Sequence, residues 1–170
     1  MDEQEQDRPR PNWVLRICVA VLLLPTALIL GVCAYIDHQD RQGPWLPAKL
    51  ELSDSYRREG QDDVLSYCGT SVYGLRAATV QAIRRNGLVY FKGAERPRDP
   101  EIPRVYIWSE SPIPNERGVP PLECAPDIDA DLGRAVRQAL KMPGSYWARS
   151  GDHALYVVPD MGIVISSHRD

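Results

Sequence analysis

Phenylalanine occurs once in 170 residues and histidine three times. With one Phe, the aromatic packing must rest on 8 Tyr and 4 Trp. Such amphipathic rings suit a small domain whose sheet has one wet face. Three histidines and four cysteines without a C-x-x-C pair or any ligand spacing exclude a zinc-finger pattern. A glycine-rich phosphate loop and the G-x-S-x-G elbow are both missing, as is any Asn-x-Ser/Thr acceptor. Charge of one sign is scarce as well. The formal net charge is -3, with 20 basic and 23 acidic residues interspersed. A nucleic-acid partner wants a basic face, so none is expected.

What the chain has is one long apolar run. Ile17 to Ile36 reads ICVAVLLLPTALILGVCAYI without a charge. At about 1.5 Å per residue, 20 such positions cover roughly 30 Å of hydrocarbon. Trp13 and Tyr35 stand near its ends, where amphipathic rings favour the membrane interface, and Arg16 can snorkel to the headgroups. Pro25 removes one backbone donor midway, which membrane helices tolerate. The expectation is a cytoplasmic tail over residues 1–12, a transmembrane helix over 13–36, a tether over 37–47 and a domain over 48–170. Arg8, Arg10 and Arg16 crowd the N-terminal side, against only Arg41 and Lys49 close behind the run. The positive-inside rule then puts the C-terminal domain outside the cytoplasm, in the periplasm of a bacterial inner membrane. Cleavage as a signal peptide near Ala34, or at Cys33 as a lipoprotein, leaves the domain on the same side.

Residues 37–170 hold all but three of the basic and all but four of the acidic residues. That length makes one ordinary domain. Leu46, Leu50 and Leu52 alternate with polar residues and suggest a strand over Ala48–Leu52. Arg57–Asp63 reads as a charged loop. Ser71 or Gly74 opens a helix on which Leu75, Thr79, Ala82 and Ile83 share a face, closed by Arg84-Arg85 and Asn86-Gly87. Leu88–Phe91 and Arg104–Trp108 read as strands. Eight of the 15 prolines fall between Pro97 and Pro126 and make that stretch irregular. The clearest helix is Asp129–Leu140, with Ile128, Leu132, Ala135, Val136, Ala139 and Leu140 on one stripe. Three short strands follow at Tyr146–Arg149, His153–Val158 and Gly162–Ser167, with turns that demand antiparallel pairing. The expected fold is therefore α+β: an antiparallel sheet with about two helices on one face.

Cys68 and Cys124 are the only cysteines after the apolar run. In an oxidising compartment they are expected to form a disulfide. It would close a loop of about 57 residues and contribute roughly 4 kcal/mol. A competing role is a Cys68 nucleophile before a helix, with His153 or His168 as base. Asp127, Asp129 and Asp131 mimic the start of a calcium loop, but Leu132 and Gln138 stand where Gly and Glu are needed. They read as helix-capping acids. His153 with Asp152, and His168 with Asp170, lack metal spacing. Glu51, Asp54, Asp62 and Asp63 read as solvated carboxylates. Neither cofactor nor metal is expected. Ala27 to Gly31 is a small-xxx-small pattern able to pair membrane helices. The functional expectation is a membrane-anchored interaction or assembly module of the cell envelope. Its partners would be the bilayer, other envelope proteins or a second copy, and Trp45, Tyr56, Trp108 and Trp147 its candidate anchors. The alternative is a small envelope hydrolase or thiol enzyme.

Overall fold

The computed structural model describes the backbone of residues 13–63, 66–114 and 130–169. Side chains are described for Val21 and for residues 23–57, 69–114 and 131–168. The chain divides into two compact units, Met1–Asp40 and Arg41–Asp170.

The first unit is built on α1, Trp13–Arg41, which continues through Pro25. Its described apolar side chains stand open, Leu24 at 70 % exposure and Leu28 at 69 %. Among the described residues no helix is long and apolar enough to cross a membrane. The side chains of Trp13–Ala20 lie outside the described ones. The described apolar stretch, Val21 to Ile36, is shorter than the roughly 20 residues a span needs. Trp13 and Arg16, expected as interface anchors, fall in the undescribed part. Tyr35 is exposed, and its hydroxyl accepts a bond from Gln39 at 3.0 Å.

The second unit is a small α+β domain around a six-stranded antiparallel sheet. Its strands are β1 (Leu52–Asp63), β2 (Ser66–Leu75), β3 (Ile107–Glu110), β4 (Tyr146–Ser150), β5 (His153–Val158) and β6 (Ile163–Arg169). They lie in the order β1-β2-β6-β5-β4-β3. Helix α2 (Ala77–Asn86) runs into a 3-10 turn at Gly87–Phe91, and α3 (Ala130–Leu140) precedes β4.

The two helices cover opposite faces, which corrects the expectation of one shared face. Leu155 and Val157 of β5 pack with Ile83 of α2, Phe91, Leu46 and Leu50. Ala154, Tyr156 and Val158 pack with Val136 and Leu140 of α3. All of β5 is buried, so its residues read as a continuous apolar run rather than an alternation. Along α3, Val136 and Leu140 are buried, Leu132 and Ala139 half-buried, and Arg134 and Arg137 exposed. Helix α2 buries Thr79 and Ile83, and Gly87 stops it at φ 56°.

Other expectations shift. Ala48–Leu52 is not a strand. Leu46 and Leu50 instead close successive turns, their amides donating to Gly43 and Pro47, and both side chains are fully buried. The segment expected as a tether is therefore helix up to Arg41 and domain from Leu46 onward. Arg57–Asp63 is not a loop but the far part of β1, paired with Ser66–Val72. A charged strand at a sheet edge resists pairing with other chains, which local patterning reads as loop. Leu88–Phe91 forms the 3-10 turn because Phe91 must reach the core beside Trp108, ring centroids 4.2 Å apart. At Gly74 the chains approach closely: a Cβ there would lie 1.9 Å from the Ser55 hydroxyl and 2.2 Å from that of Ser53, and both would have to swing away.

Truncating Leu140 to Ala should cost about 2–5 kcal/mol in urea denaturation, because it empties the α3 side of the core. Arg137→Ala should change stability by less than about 0.5 kcal/mol. Equal losses would mean that α3 does not pack on the sheet.

Candidate functional site

β5 begins directly after the Ser150-Gly151-Asp152 turn, and this places His153 at the end of the sheet. Its ring is 1 % exposed. Four layers stack about it. The Arg104 guanidinium lies 5.4 Å from the centroid of Trp45, Trp45 lies 5.3 Å from His153, and His153 lies 6.3 Å from His168. The two histidines are register partners across β5 and β6. Behind His168 stands Gly69 of β2, where a Cβ would meet the imidazole at 2.4 Å. Any side chain at position 69 would have to displace that ring. Arg104 is fixed in turn by the Ser150 carbonyl at 2.7 Å and the Asp152 carboxylate at 2.6 Å.

Both ring nitrogens of His153 are engaged. Nδ1 lies 2.9 Å from the Tyr106 hydroxyl and Nε2 lies 3.0 Å from the Ser166 hydroxyl. Proton counting assigns the tautomer. Tyr106 has one hydroxyl proton, and it donates to the Trp45 carbonyl at 3.0 Å. Nδ1–H must therefore donate to the Tyr106 oxygen, and Nε2 accepts from Ser166. The chain Ser166, His153, Tyr106, Trp45 carbonyl is satisfied in one direction throughout. Burial lowers the His153 pKa to about 3, helped by the nearby Arg104 and His168 and opposed by Asp152. Burial also pushes the Tyr106 hydroxyl well up, so it keeps its proton.

Chemically, a serine hydroxyl on a neutral imidazole is the contact of a nucleophile with its base. Here the third member is a tyrosine hydroxyl rather than a carboxylate, and Trp45 covers the ring. The arrangement ties the turn at Trp45, the entry to β3, and strands β5 and β6 into one polar joint.

A second feature lies along the β3 edge of the sheet and shares Tyr106 with this joint. Val105 just before β3, Ile107 at its start, and Leu88 and Val89 on the 3-10 turn are exposed at 54, 77, 42 and 61 %. They line a groove of about 380 Å³ floored by Phe91 and Trp108.

The expected site residues fall as follows. The side chain of Cys68 and all of Cys124 lie outside the described residues, so the expected disulfide does too. The backbone of Cys68 pairs with Gln61 and Arg169. Asp127 and Asp129 also lie outside, whereas Asp131 opens α3 and pairs with Arg134. Among the described residues no group of three or more His, Cys, Asp or Glu could hold a metal. Glu51 pairs with Arg76 at 3.8 Å rather than with another carboxylate. His168 lies within β6, one strand away from Gly69. Of the expected anchors, Trp45 covers His153 and Trp108 floors the groove, while Tyr56 and Trp147 are half-buried. Tyr106 and Ser166 gave no sequence signal, since a hydroxyl network depends on register. Val105 and Ile107 did, because an edge strand flanked by prolines and apolar on both sides must leave one face open. Comparison with known proteins finds no matching family model, no matching curated protein and no matching solved structure.

A histidine with a lowered folded pKa stays neutral in the domain and takes up a proton once unfolded. Stability should fall as pH drops from about 6.5 towards 3, with a limiting slope near 1.4 kcal/mol per pH unit for the one proton. His153→Gln should remove that slope between pH 7 and 5, where few carboxylates titrate, whatever its own stability. An unchanged slope in urea midpoints would mean that His153 is not the group responsible.

Proposed function

We propose that this chain is a membrane-anchored interaction or assembly module. In this reading α1 holds the α+β domain at a bilayer, outside the cytoplasm and in the cell envelope. The anchor is supported by the uncharged run from Ile17 to Ile36, by the arginines preceding it and by the open apolar side chains of α1. The observation that carries the interaction reading is the groove beside β3. Exposed aliphatic side chains gathered in one concavity, rimmed by Lys92 and Glu95, have the make-up of a protein-binding patch. The compartment brings the Cys68–Cys124 disulfide with it. On α1 a Cβ at Gly31 would meet no atom within 4 Å, which leaves room for a second helix along Ala27 and Gly31.

Two measurements test the reading. The full chain should sediment with membranes after alkaline carbonate washing, and a reporter fused after Asp170 should be active only outside the cytoplasm. Release by carbonate, or a cytoplasmically active reporter, overturns the anchor. Mass spectrometry of the unreduced protein should show Cys68 and Cys124 in one linked peptide pair, and Cys68→Ser should destabilise the domain by about 2–5 kcal/mol. Free alkylation of both thiols would sink the disulfide and return the thiol-enzyme alternative.

A further inference from the structure

We propose that the domain self-associates through the outer edge of β3, two copies pairing antiparallel about a two-fold axis at Ser109. This rests on the interaction-module reading and names its partner as a second copy of the chain. It does not rest on the membrane anchor.

Backbone parity decides which groups of β3 are left unused. β3 pairs β4 with Ile107 opposite Arg149 and Glu110 opposite Tyr146. The Ser111 amide donates inward to Ser145 at 2.9 Å, while the Tyr106 amide donates outward to Glu95 at 2.7 Å. Alternate residues of an antiparallel strand point their backbone groups to opposite sides. Ile107, Ser109 and Ser111 therefore serve β4, and the amides and carbonyls of Trp108 and Glu110 face away from it. Among the described residues no strand pairs with that edge.

The two edges of the sheet are not equivalent. β1 carries Arg57, Arg58, Glu59, Asp62 and Asp63, the charges by which edges avoid partners. β3 has only Glu110, and Ile107 beside it is 77 % exposed.

Parity also selects the register. Pairing Trp108 with Trp108 of the other copy would set Glu110 against Tyr106, whose amide is already taken by Glu95. Sliding further would set Trp108 against Pro112, which has no amide to donate. The register between these sets Trp108 against Glu110 twice, giving four backbone hydrogen bonds, with the two Ser109 residues facing across the axis; Pro112 then falls opposite Tyr106, asks no bond of it and must turn clear of Glu95. Charge fits the same register. Glu110 lies on the face of the sheet that holds Tyr146, whose phenol its carboxylate holds up, second to burial. Placed opposite Trp108 of the other copy, each Glu110 enters the groove that Lys92 rims. Two Glu110–Lys92 pairs then form by symmetry, as an isologous interface requires.

The test uses the full chain in mild detergent, with Cys18 and Cys33 replaced by Ser. Ser109→Cys should oxidise to a covalent dimer, because directly opposed residues of that type lie about 4.5 Å apart at Cα, within disulfide reach. Ile107→Cys should not, its two copies being roughly 14 Å apart in this register. By sedimentation, Lys92→Glu and Glu110→Lys should each raise the dissociation constant about tenfold. The double exchange should recover it. Circular dichroism confirms that each variant is folded.

A folded Ser109→Cys that stays monomeric overturns the inference. So does equal crosslinking at Ile107→Cys, or a double exchange that fails to recover association. If the chain is monomeric but a photo-crosslinker at Ile107 traps a different envelope protein, the inference fails and the module reading stands. If neither kind of crosslink forms, both fail.

Discussion

Seven residues of β2, Cys68 to Gly74, pair antiparallel with Arg169 to Ile163 of β6, and the rest of the domain hangs on that joint. One side of it is a hairpin from the first half of the chain; the other is the C-terminal meander. Without it neither half has two covered faces. The pairing puts Val72 and Ile165 under α3 and Tyr73 and Val164 under α2. It also sets Gly69 against His168 and Thr70 against Ser167, whose hydroxyls lie 3.3 Å apart. Joining segments nearly a hundred residues apart is slow to find during folding, because loop closure precedes the contacts that reward it.

That joint also marks where sequence reading reached its limit. The last three strands and α3 were legible to within a residue or two, because each carries its own turn signals or apolar stripe. For α2 only the stop at Gly87 was legible: its start was read too early, at Ser71 or Gly74, and Leu75, read as part of its face, closes β2. The β1–β2 hairpin was not, since Arg57, Arg58 and Glu59 look like loop until a partner supplies their hydrogen bonds. Nor was the split of the helices between faces, although the unbroken run Ala154–Val158 contains it: an apolar strand without alternation needs cover on both sides. Of the site, His153 was visible as a residue but not as a joint, because Tyr106 and Ser166 meet it only through tertiary register.

The polar joint and the groove divide the labour of the domain. His153 is neutral, saturated with hydrogen bonds and sealed by Trp45, so it spends its chemistry on cohesion. A buried imidazole with both nitrogens satisfied fixes geometry more sharply than an apolar side chain of equal size, since each bond has a direction. The groove is the reverse. Its walls are short, local and stacked on Phe91, whose ring also meets Tyr90 and Tyr146. Aromatic flooring under exposed aliphatic walls leaves apolar surface open to solvent there.

Arg98 carries a consequence of a mechanical kind. Its guanidinium donates to the carbonyls of Gln42 and Leu50, its amide donates to Leu46, and the neighbouring Asp99 amide donates to Pro44. One residue thus staples both ends of the turn that begins just after α1. Tension entering the chain at Gln42 meets these bonds first. If they slip, the next residue along the turn is Trp45, whose carbonyl and ring seal His153. The turn that Arg98 holds is thus the same turn that keeps the imidazole of His153 covered.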